Sequence, residues 1–223
     1  MTINMNKHRY DLVVFDWDGT LLDSTGAIVK AIQAASRDIG ATPPSDEKAR
    51  YVIGMGLREA LMYAVPDLPE SRYDELVNAY RKHYLSGDHE LTLFAGVECL
   101  LQTLQAENRW VAVATGKSRL GLDRALGHSG LGHYFDTTRT ADETRSKPHP
   151  QMLEEIMSQF AVDPERTLMI GDTTHDLLMA QNAGACGLGI THGAHPVSAL
   201  RDCAPVAVVN SIPDLGNWLK YNG

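Results

Sequence analysis

Short apolar segments alternate with helical patterns through the second half of the chain. The apolar segments are residues 110–114, 167–170, 185–190 and 206–209, and a further one, 11–15, lies near the start. Apolar residues at helical spacing occupy 97–106, 120–127, 150–160 and 176–183. Near-continuous apolar strands are typical of parallel sheets that are covered by helices on both faces. The pattern therefore predicts an α/β fold with a doubly wound parallel sheet.

The stretch from residue 24 to residue 89 interrupts this alternation. Its apolar residues recur at helical spacing, as at Ile28 and Ile32, and no part of it alternates as a strand does. Turn-forming residues border it on both sides. We therefore expect a small all-helical domain, 24–89, inserted into an α/β core formed by 1–23 and 90–223.

Composition and net charge indicate a globular protein and limit the kinds of partner that it can bind. Of the 223 residues, 43% are hydrophobic and 22% are charged, which is typical of a globular protein. Lys and Arg number 20 against 28 Asp and Glu, a net charge of −8. That balance argues against nucleic acid or an anionic membrane as a partner held by bulk charge. The expected partner is a small molecule, and the chain is compatible with a monomer or a homodimer.

Segments for export or membrane insertion are not predicted. No apolar run reaches the roughly 20 residues of a membrane-spanning helix, and residues 1–10 are polar rather than signal-like. We therefore expect a cytoplasmic protein. The three cysteines lie far apart, which predicts neither a disulfide framework nor a zinc site, and we expect them to be buried.

Two aspartates follow the first predicted strand, in Asp16-Trp17-Asp18-Gly19-Thr20. Ligands of open α/β sheets bind at the carboxyl ends of the strands. Residues two apart in an extended chain point the same way, so Asp16 and Asp18 can reach one site. One carboxylate can act as a nucleophile in phosphoryl transfer and the other as an acid and base. The motif alone is equally compatible with a turn that ends the strand.

Thr115 and Gly116 follow the predicted strand 110–114. A hydroxyl and free backbone N–H groups at a strand-to-helix junction form a natural phosphate site. Ser118 can cap the next helix at the same time. A P-loop is excluded, because its first glycine would fall at Val111.

Lys147 lies in a loop that two prolines, Pro148 and Pro150, make stiff. Such a loop would give the ammonium group a fixed approach to the sheet edge. An isolated lysine is more often a solvated surface residue, and taken alone this loop favours that interpretation.

Two more carboxylates follow the predicted strand 167–170, at Asp172 and Asp176. Mg²⁺ prefers oxygen ligands and usually keeps several waters and a substrate phosphate, so a few converging carboxylates suffice. Asp172 is the expected direct ligand. Asp176 can cap the following helix or support the ligands from behind.

Taken in order, these motifs resemble the four motifs of the haloacid dehalogenase superfamily. The matching positions are Asp16 to Thr20, Thr115, Lys147 and Gly171-Asp172 with Asp176. The resemblance spans nearly the whole chain and implies a Rossmann-like core. The helical insertion resembles the cap of the phosphoglycolate phosphatase-like branch.

The resemblance implies roles for three aspartates. Asp16 would be the nucleophile and a Mg²⁺ ligand. Asp18 would be the general acid and base, and its backbone carbonyl would also bind the metal. Asp172 would be the remaining carboxylate ligand.

The resemblance also implies how phosphate is held. Thr115 and the N–H of Gly116 would bind the phosphoryl oxygens. Lys147 would neutralise the nucleophile and the phosphoryl group, and Asp176 would orient Lys147. Thr20 is expected to support the site from behind.

Asp18 favours phosphate esters over other substrates of the superfamily. A departing alkoxide needs a proton and a halide does not, and the dehalogenases and phosphonatases of the superfamily lack this aspartate. We expect a Mg²⁺-dependent phosphatase of a small metabolite, phosphoglycolate-like or a sugar phosphate, acting through an aspartyl-phosphate. A phosphomutase of the same superfamily and a non-catalytic phosphometabolite-binding protein are the alternatives.

Substrate choice is expected to lie in the insertion, at Gly54 and Arg58. Glycine permits a tight turn over a ligand, and Arg58 can pair with a substrate carboxylate. An ordinary helix start with a solvated Arg58–Glu59 pair is the alternative. Gly116 stands where resembling phosphatases commonly have asparagine, before Lys117.

Histidines give a weaker signal. His149 and His175 flank the predicted site, and neither is needed for the mechanism. His192 and His195 have the spacing of metal ligands, but no third ligand is evident, so we expect them in a solvated loop.

Overall fold

The core of the protein is a parallel sheet with β1 at its centre. A computed structural model describes residues 8–223. The six strands in that part of the chain are β1 (Leu12–Phe15), β2 (Trp110–Thr115), β3 (Thr137–Thr140), β4 (Thr167–Gly171), β5 (Cys186–Ile190) and β6 (Ala207–Val209). Their order is β3-β2-β1-β4-β5-β6. The order reverses between β1 and β4, where open sheets of this kind form a ligand-binding crevice.

The insertion between β1 and β2 contains four helices that pack on one another, α1 (Thr25–Asp38), α2 (Asp46–Tyr51), α3 (Leu57–Ala64) and α4 (Tyr73–Gly87). Helices that follow the insertion cover both faces of the sheet. The later helices are α5 (Val97–Ala106), α6 (Arg119–Ser129), α7 (Gln151–Phe160), α8 (Thr174–Asn182), α9 (Val197–Asp202) and α10 (Ile212–Asn222).

The packing of strand β1 explains why its sequence is a continuous run of apolar residues. Val13 and Phe15 pack into a cluster with the helices α5 and α10. Leu12 and Val14 point to the other face, into a cluster with α7 and α8. Because both faces are covered, every residue of the strand is apolar and buried. The predicted doubly wound parallel sheet is confirmed.

The insertion between β1 and β2 is helical, as predicted, and has an apolar cluster of its own. Ile28 and Ile32 of α1 pack there with Leu61 of α3 and Leu76 of α4. Ile28 and Ile32 are the residues at which helical spacing indicated the segment. The cluster also receives Ala194 from the loop after β5, which ties the insertion to the sheet.

Three elements of the structure, one strand and two helices, were not predicted from the sequence. Strand β3 was not predicted, because its sequence Thr-Thr-Arg-Thr lacks an apolar pattern. Helices α9 and α10 were also not predicted.

The expectation of buried cysteines is wrong, since Cys99 is exposed on α5 and the other two are half-buried. Residues 1–7, which carry most of the segment judged unlike a signal, lie outside the described residues.

Across residues 8–223, no helix combines the length and apolar character that crossing a membrane requires.

The separate apolar cluster predicts that buried residues of the insertion contribute to the stability of the protein. Leu61 is fully buried, whereas its neighbour Met62 is 40% exposed. We expect Leu61→Ala to lower the free energy of unfolding by about 2–5 kcal/mol, because it leaves a cavity. Met62→Ala is the matched control, with an expected change of at most about 0.5 kcal/mol. Urea denaturation followed by circular dichroism measures both, and equal losses would contradict a packed cluster.

Candidate active site

Three buried carboxylates meet at the carboxyl ends of β1 and β4. Asp16 directly follows β1, and its N–H donates to the carbonyl of Ile170 at 2.9 Å. Asp172 directly follows β4, and Asp176 lies in the first turn of α8. Each offers one oxygen, and these oxygens lie within 4.8 Å of one another. Buried negative charge this dense requires cations to balance it.

Lys147 supplies one of those cations. It is 1% exposed, and its Nζ donates to Asp16 Oδ1 at 2.7 Å and to Asp176 Oδ1 at 2.6 Å. Burial alone would lower the pKa of Lys147, but the two carboxylates outweigh it and raise that pKa. The ammonium group is therefore charged, and this lysine is not a solvated surface residue.

Asp176 combines two structural tasks. Its Oδ2 accepts from the N–H of Thr173 at 3.1 Å and from Thr173 Oγ1 at 2.7 Å. The Asp176 N–H donates in turn to Thr173 Oγ1 at 3.4 Å, which completes a capping box at the start of α8. Its Oδ1 accepts from Lys147. Both oxygens are thus occupied, so Asp176 fixes the position of Lys147 relative to the helix.

Asp172 is held from two sides. Its Oδ1 accepts from Thr20 Oγ1 at 2.8 Å, and its Oδ2 accepts from the N–H of Ala194 at 2.7 Å. Burial, reinforced by the nearby charge of Asp176, raises the pKa of Asp172 to about 7. Gly19 has a φ of +83°, and a Cβ there would lie 2.3 Å from Asp172 Oδ2. The glycine of the first motif is therefore required for this approach.

One carboxylate oxygen of Asp16 has no hydrogen-bond partner in the part of the chain that the structure describes. Burial raises the pKa of Asp16 well above its ordinary value; Lys147 opposes this shift, and the charges of Asp176 and Asp172 add to it. Its Oδ2 is buried and has no hydrogen-bond partner among residues 8–223. An unsatisfied buried carboxylate oxygen is costly, which marks this atom as the one available to a ligand.

The charges of the site fit a divalent cation. Four carboxylates face two ammonium groups; the residues are Asp16, Asp18, Asp172, Asp176, Lys117 and Lys147. Two negative charges remain when all six are ionised. Carboxylate oxygens are the ligands that Mg²⁺ prefers. The carboxylates of Asp16 and Asp172 are therefore suited to hold Mg²⁺.

Asp18 lies apart from this cluster, in a setting that the sequence did not indicate. Lys117 Nζ donates to its two oxygens at 2.8 and 3.0 Å, and Ser24 Oγ donates to Oδ1 at 2.7 Å. The Lys117 ammonium also donates to the hydroxyl of Tyr84, which lies on α4. Tyr84 comes from the insertion, far along the chain, and no local signal links it to Asp18.

Thr115 and Gly116 lie beneath the loop that follows α2. Thr115 is buried, and its Oγ1 accepts from the N–H of Lys117 at 3.2 Å. A Cβ at Gly116 would lie 2.5 Å from the carbonyl oxygens of Gly54 and Met55. The absence of a side chain at this position is therefore what lets the loop approach the sheet edge.

Two histidines hold the other end of this loop. His175 Nε2 and His195 Nε2 lie 2.7 and 3.0 Å from the backbone oxygen of Tyr51, the last residue of α2. Burial lowers the pKa of both rings. The expectation of a solvated loop is wrong for His195, which is 5% exposed. His149 instead accepts from the N–H of Gln151 at the start of α7.

The candidate specificity residues fall in different surroundings. Gly54 has a φ of +93° and lies against Thr173, close to the carboxylate cluster. The guanidinium of Arg58 pairs with Asp74 inside the insertion, not with Glu59. Both residues nevertheless line the same cavity as Asp16, Asp18, Thr115 and Gly116.

Comparison with known proteins gives concordant matches. The family model described as haloacid dehalogenase-like hydrolase matches residues 13–190. The chain is 37% identical to a probable phosphatase, IndB, of Dickeya dadantii, over 92% of this chain and 91% of that protein. It is 31% identical to a putative pyrophosphatase, PpaX, of Clostridium perfringens, over 86% and 89%.

The fold is also that of solved structures. A hydrolase from Pseudomonas syringae superposes with a TM-score of 0.87 at 24% identity, over 95% of this chain and 98% of that one. At this level of identity the likeness concerns the fold.

The close contact of Gly116 with the loop that follows α2 predicts that a side chain at this position disturbs the loop. A methyl group in Gly116→Ala would force Gly54 and Met55 away and break the hydrogen bond from the Gly56 N–H to Ser146 Oγ, now 2.7 Å long. One lost hydrogen bond of about 1 kcal/mol corresponds to roughly fivefold faster amide exchange. Hydrogen exchange of residues 54–57 measures this effect.

Gly127→Ala is the matched control, because a Cβ there meets nothing within 4 Å. Unchanged exchange in Gly116→Ala would contradict the close approach.

Proposed function

The chain belongs to the haloacid dehalogenase-like hydrolase family, and from this premise we propose that it hydrolyses a small phosphate monoester by phosphoryl transfer to Asp16. The observation that carries the proposal is the unpartnered buried Oδ2 of Asp16, whose other oxygen is held by Lys147 at 2.7 Å. A carboxylate is a weak nucleophile, and holding it in place against the phosphorus contributes much of the catalysis.

In the first step, Asp16 Oδ2 bonds to phosphorus and the ester P–O bond breaks. The departing alkoxide takes a proton from the carboxyl group of Asp18. In the second step, the Asp18 carboxylate takes a proton from water, whose oxygen displaces Asp16 from phosphorus. Inorganic phosphate leaves, and both aspartates return to their starting states.

Neighbouring residues position the reacting groups. Lys147 neutralises Asp16 and the incoming phosphoryl group, while Asp176 holds Lys147. Thr115 Oγ1 and the N–H of Gly116 are assigned to the phosphoryl oxygens. Charge stabilisation of this kind supplies most of the catalysis in phosphoryl transfer.

Mg²⁺ is the proposed cofactor, held by the carboxylates of Asp16 and Asp172 and by the backbone carbonyl of Asp18. When bound, it neutralises charge on the phosphoryl oxygens. Thr20 supports this site by fixing the orientation of Asp172.

Residues 24–89 are assigned as a cap over a core formed by 1–23 and 90–223. The support is the separate apolar cluster of the insertion and the loop that rests on Gly116. Movement of this cap would admit substrate, and closure would exclude water during transfer.

The nucleophile is tested by Asp16→Asn. The amide is nearly isosteric but cannot attack phosphorus, so we expect kcat to fall by about three orders of magnitude or more. Asp23→Asn, which changes an exposed aspartate of the same segment, is the control and should retain activity. Phosphate release from a panel of monoesters, with Mg²⁺ or with EDTA, measures both. Full activity in Asp16→Asn would exclude the mechanism.

The acid–base role is tested by Asp18→Asn. The substrate is acetyl phosphate, because its acetate leaving group needs no proton from Asp18 and the first step can proceed. Without a group to activate water, we expect dephosphorylation to slow by about 10²–10⁴-fold, so that phospho-Asp16 accumulates. Acid quenching followed by intact-protein mass spectrometry detects the added phosphoryl group. The double variant Asp16→Asn/Asp18→Asn should carry none. A phosphoryl group on the double variant would place the covalent intermediate on another residue.

A further inference from the structure

The proposed site opens into a cavity much larger than its phosphate end. The cavity has a volume of about 830 Å³ and lies between the insertion and the sheet edge. Pockets for drug-sized ligands measure about 300–1,000 Å³. A phosphate group with a two-carbon acid would leave most of this space empty, so the volume points to a bulky leaving group.

The walls of the cavity are largely apolar. They include Ile28, Ile32, Leu85, Leu91, Leu93 and Leu120. Leu85 is 40% exposed and Leu120 is 80% exposed, although large apolar side chains normally avoid water. Both the insertion and the core thus present apolar surface where a leaving group would lie.

The cations of the cavity are largely neutralised by the protein itself. Arg124 donates to both oxygens of Asp88, at 2.7 and 3.0 Å. Arg58 pairs with Asp74, and Lys117 is occupied by Asp18. Arg81 also lines the cavity, as does the acidic residue Glu59.

Beyond the phosphate end there is consequently little surplus positive charge. At Arg58, Lys117 and Arg124, a second anionic group on the substrate, such as a carboxylate or another phosphate, would have to displace an existing ion pair to be held.

We infer that the substrate is a phosphate monoester whose leaving group is bulky, uncharged and mainly apolar. This inference rests on the proposed function, because it concerns the alcohol released at the same site. It sets this chain apart from an enzyme for phosphoglycolate or pyrophosphate, whose leaving groups are small and anionic.

The test compares kcat/KM for four compounds in the presence of Mg²⁺. Benzyl phosphate and glucose 6-phosphate both release a primary alcohol that carries one six-membered ring, apolar in the first and polar in the second. Phosphoglycolate is small and anionic, and acetyl phosphate is a small activated substrate that needs little from the cavity. We expect kcat/KM for benzyl phosphate to exceed those for glucose 6-phosphate and phosphoglycolate by at least about tenfold, as for an apolar group leaving water.

Variants of the cavity wall make the comparison specific. In Leu85→Ser/Leu120→Ser, the ratio of kcat/KM for benzyl phosphate to that for glucose 6-phosphate should fall by about tenfold, because two apolar contacts are lost. Val206→Ser is the matched control, since Val206 is 42% exposed and does not line the cavity. Its ratio should stay unchanged, and circular dichroism checks that all variants are folded.

The outcomes separate the two proposals. Preference for phosphoglycolate or glucose 6-phosphate, or an unchanged ratio in the double variant, overturns the inference and leaves the phosphatase proposal intact. Failure to hydrolyse any of the four compounds, acetyl phosphate included, overturns the proposed function and the inference with it.

Discussion

The buried contact of Lys147 with Asp16 and Asp176 is the interaction on which the site depends. Parallel strands bring carboxylates from distant parts of the chain to one edge of the sheet, where they repel one another. One ammonium group, excluded from solvent, offsets part of that repulsion and joins the end of β1 to the start of α8. Buried ion pairs of this kind contribute little net stability. Their value here is geometric, because they leave one oxygen of Asp16 unoccupied in a fixed place.

The carboxyl-terminal edge of the sheet also determines how the insertion packs against the core. Its loop approaches the sheet edge where Gly116 leaves room. The Tyr84 hydroxyl reaches Asp18 both directly, donating to Oδ1 at 3.5 Å, and through Lys117. The insertion therefore touches both the phosphate end and the proposed acid–base residue. Access to the site and the surroundings of Asp18 are coupled through these contacts.

Much of the fold could be predicted because its signals are local. A strand such as β1, buried on both faces, has to be apolar throughout, and the helices of the insertion carry their spacing in Ile28 and Ile32. Strand β3 escaped prediction because it is a polar edge strand whose pairing with β2 is decided by tertiary structure. Residues that follow strands, such as Asp16 and Asp172, were predicted to converge for the same topological reason.

Contacts between distant segments could not be predicted in this way. Nothing near Lys117 in the sequence indicates that its partners are Asp18 and Tyr84. Arg58, interpreted from its own neighbours, was compared only with Glu59 and with a ligand, whereas its partner Asp74 lies on the next helix. Packing in three dimensions selects among such partners after the local structure has formed.

The hold of His175 and His195 on Tyr51 has a consequence for how this protein can vary over evolution. Their shared acceptor is a main-chain carbonyl, which every amino acid possesses. Replacement of the residue at position 51 removes a ring that stacks on His195 but leaves the acceptor in place. Selection for these two hydrogen bonds therefore acts on the histidines and not on the side chain at position 51, so a comparison of related sequences would not identify their acceptor.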